Sequence, residues 1–182
     1  YSIIGAIGHG DAFALRDPSG IRPAYYYKDD EVVVVASERP VIQTAFNVPY
    51  DSVKEIKPGH AIIIKKDGQV SEQPILDPLE RKACSFERIY FSRGTDKEIY
   101  RERQRLGKAL APAIMDAIDH DLENTVFSYI PNTASVAFQG LMDEIGKVCS
   151  DIKKEKILQL GTRLTPENLE KILSIRPRVE QV

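Results

Sequence analysis

Side chains that could do chemistry are thinly spread along this sequence. Its three histidines, His9, His60 and His120, stand too far apart to imply one site. His9 lies between glycines at a strand end and His60 begins another strand, so a structural role fits both. Cys84 and Cys149 are the two cysteines, and they make neither a disulfide framework nor a zinc pattern. Cys84, two residues before Phe86 in an apolar stretch, reads as a buried structural thiol. Arg101, Arg103, Arg105 and Lys108 alternate with Glu98 and Glu102. Helical pairing accounts for that run and makes it a solvated face rather than a phosphate site. No Walker loop, dinucleotide fingerprint or zincin motif occurs, and no catalytic residue is assigned. The most specific polar cluster is Arg16-Asp17-Pro18-Ser19-Gly20-Ile21-Arg22-Pro23. Pro and Gly there serve the backbone of a turn, while the acid and the two arginines can pair across neighbouring strands.

The elements that must carry these residues change character along the chain. Residues 1–78 are β-rich. The pattern predicts strands over Asp11–Arg16, Ile21–Tyr27 and Glu31–Ala36, the last with four consecutive valines and hence covered on both faces. Ser37 is expected to cap a short helix through Phe46, with Pro40 in its first turn. Pro58-Gly59 leads into His60–Ile64, and Lys66-Asp67-Gly68 closes a hairpin onto Gln69–Gln73. Pro74–Pro78 is the expected linker between domains at 1–78 and 79–182. Beyond it Ser85–Ser92 reads as a strand, placing Phe86, Arg88 and Tyr90 on one face. Thr95-Asp96-Lys97-Glu98 is a capping box. Ile99, Leu106, Leu110, Ile114 and Ile118 then mark the apolar face of a helix that Pro112 should kink or end early. Thr125–Ile130 reads as a strand and Ala134–Ile145 as a helix. Thr165-Pro166 opens a last helix with Leu169, Ile172 and Leu173 on one face.

Composition narrows the classes of function. The chain has 182 residues, with 25 basic and 27 acidic side chains and a formal net charge of −2, not the basic balance of a nucleic-acid binder. Hydrophobic residues make up 42% and charged residues 29%, as in ordinary globular chains. The longest apolar run, Val32–Ala36, is far short of a membrane span. A reducing cytoplasm is the expected compartment. The opening Tyr1-Ser2-Ile3-Ile4-Gly5-Ala6-Ile7 has no initiator Met, and a strand starting there would need a neighbour to cover it. The sequence is therefore expected to be an excerpt of a longer polypeptide.

Two patterns carry a family resemblance. Arg16–Pro23, followed by Ala36-Ser37-Glu38, resembles the R-D-P-x-G-I-R-P turn of N-terminal-nucleophile glutamine amidotransferase domains. Asparagine synthetases carry a similar turn, and Tyr25-Tyr26-Tyr27 echoes its aromatic ending. The second pattern decides between them. Cys84-Ser-Phe86-Glu87-Arg88-Ile89-Tyr90-Phe91-Ser92-Arg93, with Arg103 and Gly107 on the next helix, is similar to the interdomain segment of amidophosphoribosyltransferases, C-x-F-E-x-I-Y-F-x-R-P-D-S. Ile130-Pro131-Asn132-Thr133 fits the same family's V/I-P-D/E-S/T. These motifs stand in one collinear order from about Ile3 to Gly146.

The resemblance implies an α/β (α+β) chain: the second half of an N-terminal-nucleophile hydrolase αββα sandwich, then the opening of a type I phosphoribosyltransferase domain. It implies part of a homo-oligomeric two-site enzyme with glutamine and phosphoribosyl pyrophosphate as substrates and no nucleic-acid or membrane partner. Ammonia released from glutamine passes through a sheltered channel to displace pyrophosphate, with Mg²⁺, giving 5-phosphoribosylamine in the first step of purine synthesis. The family's nucleophilic Cys and its diphosphate-binding loop match nothing in this sequence, so the excerpt itself is expected to be inactive. Residue by residue, Phe86 and Tyr90 match the family's interdomain channel. Thr133 matches a hydroxyl position associated with magnesium, although Asn132 replaces the usual acid. Cys84 matches a ligand of the 4Fe-4S iron–sulfur cluster that some members hold. Gly94-Thr95 departs from the family's P-D-S. The alternative is a non-catalytic scaffold homologue acting as a regulatory or binding module.

Overall fold

A computed structural model describes residues 1–180. The chain forms two compact units, one over Tyr1–Asp96 and one from Lys97 onward. In the first unit, β1 (Ser2–Ala6), β2 (Ala12–Arg16), β6 (His60–Ile64) and β7 (Val70–Pro74) form a four-stranded antiparallel sheet in the order β1-β2-β6-β7. A second, three-stranded antiparallel sheet runs β4-β3-β5, from β3 (Tyr25–Lys28), β4 (Val33–Ala36) and β5 (Lys54–Glu55). Helix α1 spans Arg39–Phe46.

The two-residue period of the strands builds three layers. Ala14 and Ile62 of the first sheet meet Tyr26 and Val35 of the second, with Ala24 and Ile56 between them. On the opposite face Tyr25, Tyr27, Val34 and Ala36 pack with Ile42 of α1 and Val53. Successive side chains alternate between faces, so the valine run is packed on both, as its composition predicts. The Asp-Gly hairpin also forms: the Lys65 N–H donates to Gln69 O at 2.8 Å and Gly68 takes φ +86°, a conformation open to glycine.

Local expectations fail at three places. Ser37 does not cap α1. Glu38 holds the cap position without a side-chain cap bond, and the Ser37 hydroxyl instead donates to Glu38 Oε2 at 2.9 Å. β3 starts at Tyr25 rather than Ile21, because the chain before it is held in the Arg16–Pro23 turn. Ser85–Ser92 is helical, not extended, with a π-turn over Glu87–Phe91.

At the β1–β2 hairpin, Asp11 accepts from Lys65 Nζ at 2.7 Å and from the Lys66 N–H at 3.0 Å, with His9 Nε2 at 3.1 Å. The Lys65 hydrogen bond foremost, then His9 and the Lys66 N–H, hold its carboxyl well below the usual carboxylate range. A depressed folded-state value stabilises the protein above the ordinary value of 3.8 and is lost as pH falls through the depressed one. Asp11→Asn should therefore lower stability at neutral pH and flatten its decline in acid. Urea unfolding at a series of pH values checks this; parallel acid limbs for parent and variant would refute it.

The second unit is built on α2 (Lys97–Ala117) and α3 (Ser135–Leu160), with a parallel pair of β8 (Val126–Phe127) and β9 (Arg178–Val179) and a last helix, α4 (Pro166–Ser174). Thr165 caps α4, its hydroxyl accepting from the Asn168 N–H at 3.2 Å. Ala111, Met115, Leu122, Phe127, Leu141, Ile145 and Cys149 form the core. The strand expected over Thr125–Ile130 shrinks to two residues, and α3 runs on past Ile145 to Leu160. Pro112 does not end α2. Its ring is on the exposed side, where the carbonyl it leaves without a donor can turn to water.

The buried face of α2 also differs from the expected stripe. Ile99, Arg103, Gly107, Ala111 and Met115 are buried at every fourth position, while Leu106 and Leu110 are 43% and 53% exposed. A Cβ on Gly107 would lie 1.7 Å from Ala137 O, and one on Gly140 would lie 2.1 Å from Gln104 O. Backbone contact between α2 and α3 thus selects the smallest residues for the seam and turns the leucines out. Arg103 is consequently buried rather than part of a solvated basic face, and its burial lowers its pKa.

Candidate functional site

The Arg16–Pro23 turn is a buried polar knot. Arg16 is 2% exposed. It donates from Nε to Arg22 O at 2.8 Å, from Nη1 to Glu55 Oε1 and Ile56 O at 2.7 Å each, and from Nη2 to Gly20 O at 3.2 Å. Gly20 has φ +58°, and a Cβ there would also crowd Pro58 Cγ at 3.0 Å, so both backbone conformation and space favour glycine. Asp17 accepts from the N–H groups of Ser19 and Ile21 at 3.0 and 2.9 Å and from the Tyr1 amino group at 3.2 Å. Burial alone would raise the Asp17 pKa; these donors outweigh it and leave it lowered.

The acid and the two arginines do not pair with one another: Asp17 takes backbone N–H groups of the turn and the Tyr1 amino group, while Arg16 and Arg22 reach carboxylates elsewhere, Glu55 and Glu87. Arg22 reaches the second motif: its Nε lies 2.6 Å from Glu87 Oε1, with Arg22 54% and Glu87 5% exposed at the side chain. Its guanidinium carbon also stands 5.9 Å from the centre of the Phe91 ring. Backbone bonds tie the intervening chain to the same turn, from Leu79 N–H to Pro18 O, Lys82 N–H to Ser19 O, and Cys84 N–H to Ile21 O, at 2.9, 2.9 and 3.0 Å. The two sequence motifs therefore form one spatial cluster within the first unit.

On the π-turn, the Ser92 N–H donates to Glu87 O at 2.7 Å, the five-residue spacing of that geometry. Phe86 and Tyr90 fall one turn apart on a helical face and are 66% and 64% exposed, so they are not core aromatics. Tyr90 meets Phe91 edge-on at 5.2 Å. Cys84 is half-buried rather than buried, and Cys149 is the buried thiol, donating to Ile175 O at 3.3 Å in the second unit. Thr133 is exposed in the turn before α3. Among the described residues no cluster of three His, Cys, Asp or Glu could hold a metal.

Arg39 went unnoticed in the sequence. It is 7% exposed, its guanidinium lying over the rings of Tyr50 at 4.1 Å and Tyr25 at 4.8 Å, with Asp96 Oδ2 at 3.9 Å. Its partners come from three separate segments, so spacing carries no signal; its place after Ser37-Glu38 is the one local hint. A cavity of about 470 Å³ opens between the two sheets, lined by Ile4, Ala14, Arg22, Val35, Ser37 and Ile56 among others. No helix among the described residues is long and apolar enough to cross a membrane.

Known proteins resemble this chain over most of its length. The amidophosphoribosyltransferase of Escherichia coli K12 is 34% identical over 137 residues, covering 70% of this chain and 26% of that protein. The amidophosphoribosyltransferase of Lachancea kluyveri is 24% identical over 190 residues, covering 98% of this chain and 37% of the relative. The solved glutamine phosphoribosylpyrophosphate amidotransferase of Bacillus subtilis, in complex with ADP and GMP, superimposes with a TM-score of 0.57 at 28% identity, over 75% of this chain and 29% of that one. No protein-family profile matches. The chain thus spans between 26% and 37% of these relatives.

Proposed function

Because this chain belongs to the amidophosphoribosyltransferase family, we propose that it is the middle portion of a cytoplasmic enzyme that carries ammonia from glutamine to phosphoribosyl pyrophosphate. In this reading residues 1–78 are the second half of the glutaminase sandwich, and residues 79–182 are the linker and the opening of the phosphoribosyltransferase domain; the linker and interdomain segment up to Asp96 pack with the first compact unit. The observation that supports it best is the Arg22–Glu87 contact at 2.6 Å. It joins the glutaminase-type turn to the interdomain-type segment, two motifs read independently from the sequence. The stacking of two sheets and α1 fits the same placement.

The chemistry demands such a junction. Ammonia is mostly protonated at neutral pH, and ammonium has no lone pair with which to attack C1 of the ribose. Transfer must exclude water between the two sites. Phe86 and Tyr90, exposed aromatic rings on one helical turn, are suited to line that passage once covered.

The described residues do not make a resident metal site. Thr133 is a lone exposed hydroxyl without a carboxylate cluster. An iron–sulfur cluster takes four thiolates, whereas Cys84 and Cys149 are the two available and lie in separate units.

The 182-residue chain alone should neither hydrolyse glutamine nor form phosphoribosylamine above a buffer blank. A full-length protein carrying it should convert glutamine and phosphoribosyl pyrophosphate to phosphoribosylamine and pyrophosphate. Turnover by the short chain that Cys84→Ser abolishes would make Cys84 a nucleophile and overturn this placement. A full-length protein that binds both substrates without turnover would favour the scaffold alternative.

A further inference from the structure

Glu87 is the only carboxylate among the described residues of the Cys84–Arg93 segment, and it is 4% exposed. It anchors the π-turn twice. Its carboxylate pairs with Arg22, and its carbonyl accepts from the Ser92 N–H at 2.7 Å and from the Ser92 hydroxyl. Arg22 is itself held from behind, since its carbonyl receives Arg16 Nε at 2.8 Å, and Arg16 is bonded to Glu55, Ile56 and Gly20. A continuous path of ion pairs and one side-chain-to-backbone hydrogen bond therefore runs from β5 through Arg16 and Arg22 to the turn that displays Phe86 and Tyr90.

We propose that Arg22 and Glu87 are positioning residues for ammonia transfer: their ion pair latches the π-turn Glu87–Phe91 to the Arg16–Pro23 turn and so sets the exposed aromatic pair. The transfer role rests on the family reading above; the latch rests on the geometry alone. A π-turn is a rare, less favourable spacing of backbone bonds that persists where something holds it. A buried carboxylate deprived of its partner is strongly unfavourable. When Arg22 loses its charge, Glu87 must turn toward water, and its carbonyl leaves Ser92 with it. The turn then relaxes, and the ring positions of Phe86 and Tyr90 shift although neither residue is altered. Arg22 is half-exposed at the side chain, so the pair can be opened from the solvent side without excavating a core.

Amide hydrogen exchange on the 182-residue chain tests the latch. In Arg22→Gln and in Glu87→Gln, the Ser92 amide should exchange about tenfold faster while β6 amides keep the parent rate. The charge-reversed double variant, Arg22→Glu with Glu87→Arg, should return Ser92 to within about twofold of the parent, as a direct pair interaction requires. Should Glu87→Gln fail to fold, Arg22→Gln, altered on the solvated side, decides the matter. Unchanged Ser92 exchange would overturn the latch.

In the full-length protein the same single variants should raise glutamine consumed per phosphoribosylamine formed by about threefold, with the glutaminase kcat held and the ratio restored in the double variant. Faster exchange with an unchanged ratio would overturn the positioning role. A parent protein that makes no phosphoribosylamine would count against the family reading, and the exchange experiment would still judge the latch.

Discussion

Replacing Gly107 with alanine should unfold the second unit at temperatures the parent withstands easily. The added methyl would stand 1.7 Å from Ala137 O and 2.8 Å from Leu141 N. Both are backbone atoms of α3 and cannot rotate away. Relief requires the helices to separate by more than an ångström along a seam that also buries Ala111, Met115, Leu141 and Ile145. Overpacking of a tight core costs about 1–3 kcal/mol and more where backbone must move, so about 3 kcal/mol is expected here. For a unit of this size that lowers Tm by about 15 °C. Gly146→Ala supplies the opposite sign on the same helix. Nothing lies within 4 Å of its added Cβ, and a helical glycine with open space around it gains about 0.5–1 kcal/mol on replacement by alanine. Thermal unfolding of both variants, followed by circular dichroism, checks the pair. Equal melting temperatures would mean that the close crossing of α2 and α3 does not hold the unit together.

That crossing also shows what the sequence could reveal and what it could not. Features governed by neighbours were legible. The Asp67-Gly68 hairpin, the two-faced valine strand, the Thr165 cap and the family motifs all depend on residues a few positions apart, or on an order preserved along the chain. Features decided by a distant partner were not. Leu106 and Leu110 have the right spacing for a core face, yet the seam follows Gly107 because Gly140, more than thirty residues away, meets it. Phe86, Tyr90 and Phe91 have strand-favouring side chains, yet the segment coils, with Glu87 held by Arg22 from a turn distant in sequence. Phe86 and Tyr90 survive the change together because a strand brings residues four apart to one face, and a helix nearly does so. Arg39, stacked on tyrosines from two other segments, left no trace in spacing at all.

Arg16→Met should be the most damaging single change in the first unit. The guanidinium satisfies a carboxylate and three carbonyls in a place water does not reach. Methionine fills much of the volume but donates nothing, leaving the buried carbonyls of Gly20 and Ile56 and the partly buried one of Arg22 without this partner. Glu55 is less affected, being a third exposed and retaining Arg81 at 3.2 Å. Breaking a buried hydrogen-bonded charge costs about 3–5 kcal/mol, and the carbonyls place this case toward the upper end. Arg16→Lys separates charge from geometry. It keeps the positive centre but replaces a rigid fork with a point charge that cannot serve Arg22 on one side and Ile56 on the other. It should cost about half as much and leave the unit folded at room temperature. In that folded variant the Arg22 carbonyl is no longer held, so the Ser92 amide should exchange faster although Arg22 and Glu87 are intact. Denaturant unfolding and amide exchange on the same sample measure the two effects. Lysine retaining both parent stability and parent Ser92 protection would mean that charge alone is needed at position 16 and that no path runs through it to the π-turn.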